Sequence, residues 1–172
     1  MTLSPRQRTF VLTAHVTSTV GWLGAVAAYL GLAVAALIVQ DAQTVRAAWI
    51  AMEVTGWFVI VPLSFASLIS GLVQSLGTTW GLFRHYWVVV KLLITVLGSL
   101  VLLLHMQPTA YLAGVASRTT LSGTDIRRLQ IQLVADAGAA LLVLLVATTL
   151  SIYKPRGLTP YGWRRQREER QG

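Results

Sequence analysis

Six residues in or at the edge of apolar stretches are able to do chemistry in this chain: His15, His85, His105, Lys91, Glu53 and Asp136. A charged group at the centre of a hydrocarbon layer costs about 2.5–3.5 kcal/mol on insertion scales, so such residues are usually paired or functional. A histidine on an inward helix face can ligate haem iron or copper, or relay a proton. Two carboxylates beside a histidine can share a proton or bind a cation. The chain contains no cysteine, which removes disulfides, thiolate nucleophiles and Cys-ligated zinc or iron–sulfur clusters.

Spacing sorts the six residues into two groups. His15 lies seven residues past Arg8 and Lys91 seven past Arg84, each roughly 10 Å into an apolar segment at helical rise. His85 directly follows Arg84 and is interfacial. Glu53 is seven residues past Arg46, Asp136 is eight past Arg128, and His105 lies near Pro108 at the far end of its segment. One group is therefore His15 and Lys91, with His85 nearer the surface, and is a candidate cofactor site. The other is Glu53, Asp136 and His105, a candidate site for metal or proton handling. On a helical wheel Lys91, Thr95, Gly98 and His105 fall within about 80° of one another, whereas His85 is about 120° from Lys91. His15 shares a face with Ser18, Thr19 and Trp22. The same residues also suit a bundle without catalysis, in which they serve assembly or ligand binding through interhelical hydrogen bonds.

The elements that hold these residues are apolar helices. Of 172 residues, 55% are hydrophobic and 12% charged, where a soluble domain carries about 25% charged residues; the mean hydropathy is +0.64. Four segments, about 10–39, 47–76, 86–106 and 129–153, each approach or exceed the roughly 20 residues that cross a bilayer. They lack the alternation of barrel strands, and the first is too long for a cleaved signal. The expectation is an all-α, integral membrane, antiparallel four-helix bundle over residues 1–153, followed by a basic tail over 154–172.

Basic residues number nine on the side of the two termini and four on the other, so the positive-inside rule places both termini in the cytoplasm, in a multi-pass cell-membrane protein. The connection from about Gln107 to Arg128 reads as long and external, with Ser122-Gly-Thr-Asp125 as a capping box. Pro62 is expected to kink the second helix. Small residues on the first helix (Gly21, Gly24, Ala25, Ala28, Gly31) and the stripe Glu53, Gly56, Trp57, Ser64, Ser67, Gly71 and Ser75 on the second are expected to face the interior. The formal net charge of +8 is concentrated in the tail, which points to anionic inner-leaflet lipid and topology anchoring rather than nucleic acid. A homo-oligomer or a membrane-protein partner is compatible with this composition.

The strings His15-Val-Thr-Ser-Thr-Val-Gly-Trp22-Leu-Gly24, Pro62-Leu, Gly71-Leu-Val-Gln, Trp80-Gly-Leu-Phe-Arg-His-Tyr-Trp87 with Lys91, and Tyr153-Lys-Pro-Arg-Gly-Leu-Thr-Pro-Tyr-Gly162 resemble a family of small actinobacterial four-helix membrane proteins with no assigned activity. A His opening the first helix ahead of Trp-x-Gly, with Trp87-x-x-x-Lys91 opening a later one, is similar to two further groups. These are the copper-resistance D-type membrane proteins and the haem b-containing protoporphyrinogen oxidases of the HemJ type. That likeness implies His15 as a haem or metal ligand and Lys91 as the partner of a propionate or substrate carboxylate. The oxidases carry a fuller acidic and aromatic motif set. The copper-resistance group has more helices and Met-rich external segments, against only Met1, Met52 and Met106 here.

Overall fold

The fold is that of a computed structural model, which describes residues 3–77, 81–116, 124–153 and 157–171. The first span is α1 (Pro5–Ile38). The second is α2 (Ala42–Thr55), a π-helical turn (Gly56–Ile60) and α3 (Val61–Leu76) in line. The third is α4 (Tyr86–Ala116) and the fourth α5 (Thr124–Tyr153), with a short α6 (Pro160–Gln171) after them. All four spans are long and apolar enough to cross a membrane, the architecture of a multi-pass membrane protein. They form an antiparallel all-α bundle in which α1 packs on α2, α3 and α5, and α4 closes the ring against α2, α3 and α5. Both chain ends therefore lie at one end of the bundle, here the terminal end; the other is the distal end.

Local chemistry starts these helices where the sequence asks. Ser4 caps α1 reciprocally with Gln7, and Pro5 occupies the first turn, where its missing N–H costs nothing. Asp41 caps α2 by accepting from the Thr44 N–H at 2.8 Å and from its hydroxyl at 2.6 Å. The core is a cluster that includes Trp22, Val26, Tyr29, Trp49, Met52, Leu112 and Leu133. Only 11% of the most apolar window of the third span is buried within the protein, and the outward residue Phe58 is 77% exposed. Such an outward apolar surface is that of helices able to cross a membrane.

Three expectations about the spans need correction. The first concerns the small residues of α1: Gly24, Ala28 and Gly31 face outward, and the buried face is Ser18, Trp22, Val26, Tyr29, Ala33 and Ala36. Because α1 meets three neighbours, bulky side chains fill its interior face.

The second correction lies in the stripe on the second span. Gly56, Ser64 and Ser67 are buried as expected, but Trp57 points outward and Ile60 takes an inward position. The π turn adds a residue to one turn and rotates the remainder of the span relative to α2. Its wider bonding, with the Val61 N–H donating to the Gly56 carbonyl, directly precedes Pro62. The irregularity expected from that proline is thus absorbed as a π turn.

Third, α4 does not end near Met106 but continues through Pro108 to Ala116. The proline deprives one carbonyl of its N–H, yet the flanking turn holds, and the Thr109 hydroxyl donates to the His105 carbonyl at 3.1 Å. Tolerance of this kind is usual where apolar surroundings leave the backbone no competing solvent. The connection to α5 is correspondingly shorter than the span from Gln107 to Arg128. The expected capping box at Ser122 lies outside the described residues.

Candidate functional site

Two polar clusters occupy opposite ends of the bundle, as the spacing predicts. At the terminal end His15 projects from α1 against α3. Its Nδ1 is 3.1 Å from the Ser67 carbonyl oxygen and 3.1 Å from the Ser70 hydroxyl. A carbonyl can only accept, so Nδ1 carries the proton; Ser70 directs its own proton to the Ala66 carbonyl at 2.6 Å and can accept as well. The imidazole is thereby fixed in one tautomer, with the lone pair on Nε2, which has no hydrogen-bond partner among the described residues. Ser67 is further held by Thr19 at 3.1 Å, and Thr19 donates to the His15 carbonyl at 2.7 Å. Gly71 makes room for the ring: a Cβ there would lie 3.1 Å from His15 Cε1.

His15 lines a cleft of about 440 Å³ between α1, α3, α4 and α5. Lys91, Trp87, Thr95, Thr148 and Ser151 share the lining with apolar Leu68, Leu72, Val88 and Leu92. The Lys91 ammonium stands over the Trp87 ring, 5.9 Å from its centroid. Rim residues Leu12, Val16 and Ile152 are exposed, so the cleft opens onto the lipid-facing side of the bundle.

His85, grouped with His15 and Lys91 on depth, is not part of that lining. It forms an isolated antiparallel bridge with Leu158 and sets its ring 6.4 Å from Trp87. It precedes α4 and is held in this bridge, outside the helical register that positions Lys91. Its carbonyl accepts the first amides of α4, those of Val88 and Val89, at 3.2 and 3.3 Å.

At the distal end His105 Nδ1 lies 3.2 Å from an Asp136 carboxylate oxygen, joining α4 to α5. The other ring nitrogen, Nε2, is 3.3 Å from the Tyr29 hydroxyl on α1, which is also 2.7 Å from the Thr109 hydroxyl. Tyr29 is 4% exposed and packs edge-on to His105. The His105 side chain is 12% exposed and that of Asp136 is 44% exposed, so the carboxylate is the cluster's outlet.

Glu53 is half-buried at the edge of the α2 face formed by Trp49 and Met52, and makes no hydrogen bond or ion pair among the described residues. Nor do three His, Cys, Asp or Glu side chains gather there as a metal site would require. The structure thus brings together His15 with Lys91, and His105 with Asp136, and leaves His85 and Glu53 outside both sites.

Spacing missed Ser70, Tyr29 and Thr109. A tyrosine in place of phenylalanine within an apolar run is the usable signal, because a buried phenol needs a partner. No family model matches the chain, and neither a curated protein nor a solved structure matches it.

Proposed function

We propose that this multi-pass membrane protein binds an amphipathic, anionic ligand in the terminal-end cleft, and that haem b held by His15 is that ligand. The observation that carries this reading is the His15 imidazole, anchored through Nδ1–H on the Ser67 carbonyl in a cleft that Lys91 also lines. Metal-ligating histidines are oriented in this way by a hydrogen bond from the other ring nitrogen, which fixes the tautomer and raises ligand basicity.

The residues fit the group on three counts. His15 Nε2 would supply a nitrogen ligand to the iron, the apolar lining would flank the macrocycle, and Lys91 would supply a cation for a propionate. The cleft volume of about 440 Å³ falls within the roughly 300–1,000 Å³ usual for small-molecule sites. Bound there, haem b would supply one-electron redox chemistry. The protein's own part is to hold the imidazole neutral and oriented, to exclude water with Leu68, Leu72 and Leu92, and to place one positive charge at the carboxylate end.

The test is the absorption spectrum of protein purified in detergent from haem-supplied cells. The wild type should show a Soret band, and His15→Ala should lose it while the helical content stays unchanged. A colourless wild type under these conditions would end this reading, and the cleft residues would then serve only the packing of the bundle.

A second reading, proton handling at the distal end, is favoured by the His105–Asp136 contact and the bonding directions around it. Thr109 directs its proton to the His105 carbonyl, so Tyr29 donates to Thr109 and accepts from His105 Nε2–H. His105 Nδ1 then faces the Asp136 oxygen at 3.2 Å, a contact that needs one proton between the two atoms. An imidazolium with a carboxylate, or an imidazole with a carboxylic acid, satisfies it with no net charge in the span. Removing the proton leaves a net negative charge in either tautomer, and the His105–Asp136 contact is then kept only if Thr109, Tyr29 and His105 reverse their donor directions. The cluster is thereby suited to load and release one proton through Asp136.

Asp136→Asn should remove one pair of carboxylic and carboxylate bands from the infrared changes that follow a pH step in reconstituted protein, leaving those of the chain's other five acids. If no pair is lost in this variant, the distal cluster is a static interhelical contact.

A further inference from the structure

The basic C-terminal segment is not loose in the structure but pinned. The Thr159 amide donates to the Arg84 carbonyl at 3.1 Å, and its hydroxyl donates to the Phe83 carbonyl. The Tyr86 amide donates to the Gly157 carbonyl at 3.3 Å. Gly162 lies so close to the Arg84 carbonyl oxygen that any Cβ would collide with backbone. On the other side of this junction Gly81, at φ +62°, turns the chain into α4. Helix α6 therefore leaves the bundle at the level where α4 begins and α5 ends. Exposed Tyr86 and Tyr153 mark that boundary, and Tyr161 and Trp163 continue it.

The helix has three chemically different faces. Gly162 marks the docked one. A second carries Arg165, 3.8 Å from the Glu168 carboxylate. On the third, Trp163, Arg164, Arg167 and Arg170 fall within an arc of about 120° that contains no acid, with Arg165 pointing about 160° from its centre. All four residues of this arc are exposed, and Pro160, Trp163, Arg164 and Arg167 line a shallow depression on it.

We propose that this Trp163–Arg164–Arg167–Arg170 face of α6 is an anionic-lipid binding surface that lays the helix on the bilayer beside the mouth of the bundle. Charge complementarity selects the occupant. Basic residues at an anionic surface are attracted to phosphates, and an indole among them partitions to the headgroup level. The pin at Thr159 holds the helix at that level before any lipid binds, which reduces the conformational entropy that binding must overcome.

The test is hydrogen exchange of residues 160–171 in the full-length protein, reconstituted in nanodiscs of phosphatidylcholine alone or with added phosphatidylglycerol. The anionic discs should protect this segment. Arg164→Gln with Arg167→Gln should remove the added protection, by roughly fivefold for each arginine at the usual contribution of one basic residue. Arg165→Gln should retain it. Arg164→Lys with Arg167→Lys should also retain it, which separates loss of charge from loss of the helix. Equal protection in the two lipids would overturn the proposal, as would an Arg165→Gln variant as impaired as the double glutamine variant.

Discussion

His15 and His105 are both partly buried imidazoles on an inward helix face, each bonded across to neighbouring spans, yet their partners prepare them for opposite work. His15 meets a carbonyl and a hydroxyl on a single nitrogen, so its neutral form has a fixed tautomer in which Nε2 keeps a lone pair. His105 is engaged on both nitrogens, by a carboxylate and a phenol, so it has no nitrogen left for a ligand and one proton to share. In a medium with no competing solvent, the partner decides whether a histidine is a ligand or a proton carrier. Shared depth and inward orientation do not.

The sharpest way to break this contrast is to exchange the substitutions. His105→Ala should leave the Soret band of haem-supplied protein intact, whereas His15→Ala loses it completely. Equal loss in both variants would mean that the band reports bundle integrity and that the two histidines are not functionally distinct. A finer probe leaves the imidazole in place. Gly71→Ala puts a methyl 3.1 Å from His15 Cε1, so the ring must yield by a few tenths of an ångström. The Soret maximum should shift and haem retention should fall, with thermal stability changing by about 1–3 kcal/mol at most. An unshifted spectrum would show that the ring's position against α3 is irrelevant to the ligand.

At the distal end Tyr29→Phe removes one hydroxyl and leaves His105 Nε2–H without its acceptor. Loss of such a bond costs about 0.5–1.5 kcal/mol, more where a buried group is left unsatisfied. Thermal unfolding in detergent should register that cost, and the pH-dependent infrared bands of the His105–Asp136 pair should shift in position. Bands identical to those of the wild type would remove Tyr29 from the proton-carrying unit and leave it a packing residue.

How much of the fold and the two clusters is legible in the sequence depends on the physical cause of each feature. The four spans, the two depths and the pairings of His15 with Lys91 and of His105 with Asp136 come from residue type and from the distance to a flanking arginine, because lipid allows few alternatives. The displacement of His85 is not legible, since it comes from a bridge to Leu158, far along the chain, that holds His85 outside the helical register of α4. Trp57 is misplaced by the sequence pattern because a π turn changes helical phase without any marker except the nearby Pro62. The α1 glycines are misplaced because small-residue spacing identifies a face that could accept a helix, not the one that does. Ser70 escapes notice because its role depends on a carbonyl one turn away. The docking of α6 escapes because Thr159 binds backbone carbonyls, which sequence does not distinguish.

A control with a smaller effect separates the proton chemistry of the span from ordinary surface titration. Asp41 is fully exposed in the connection between α1 and α2. The Thr44 hydroxyl, and then the Thr44 amide, hold its carboxyl below the usual carboxylate range. Because the folded state depresses this pKa, the cap's contribution is fully present above the unfolded value and is lost as pH falls through the folded one. Protection of the amides in the first turn of α2, relative to their intrinsic exchange rates, should therefore fall at acid pH, and Asp41→Ala should make that protection low and independent of pH. The infrared response of His105 and Asp136 should survive Asp41→Ala unchanged, because no hydrogen bond among the described residues links the two acids. A distal response that vanishes with Asp41 would mean that acid acts on the bundle through the α2 cap, and the contrast between the two histidines would then lose its proton-carrying half.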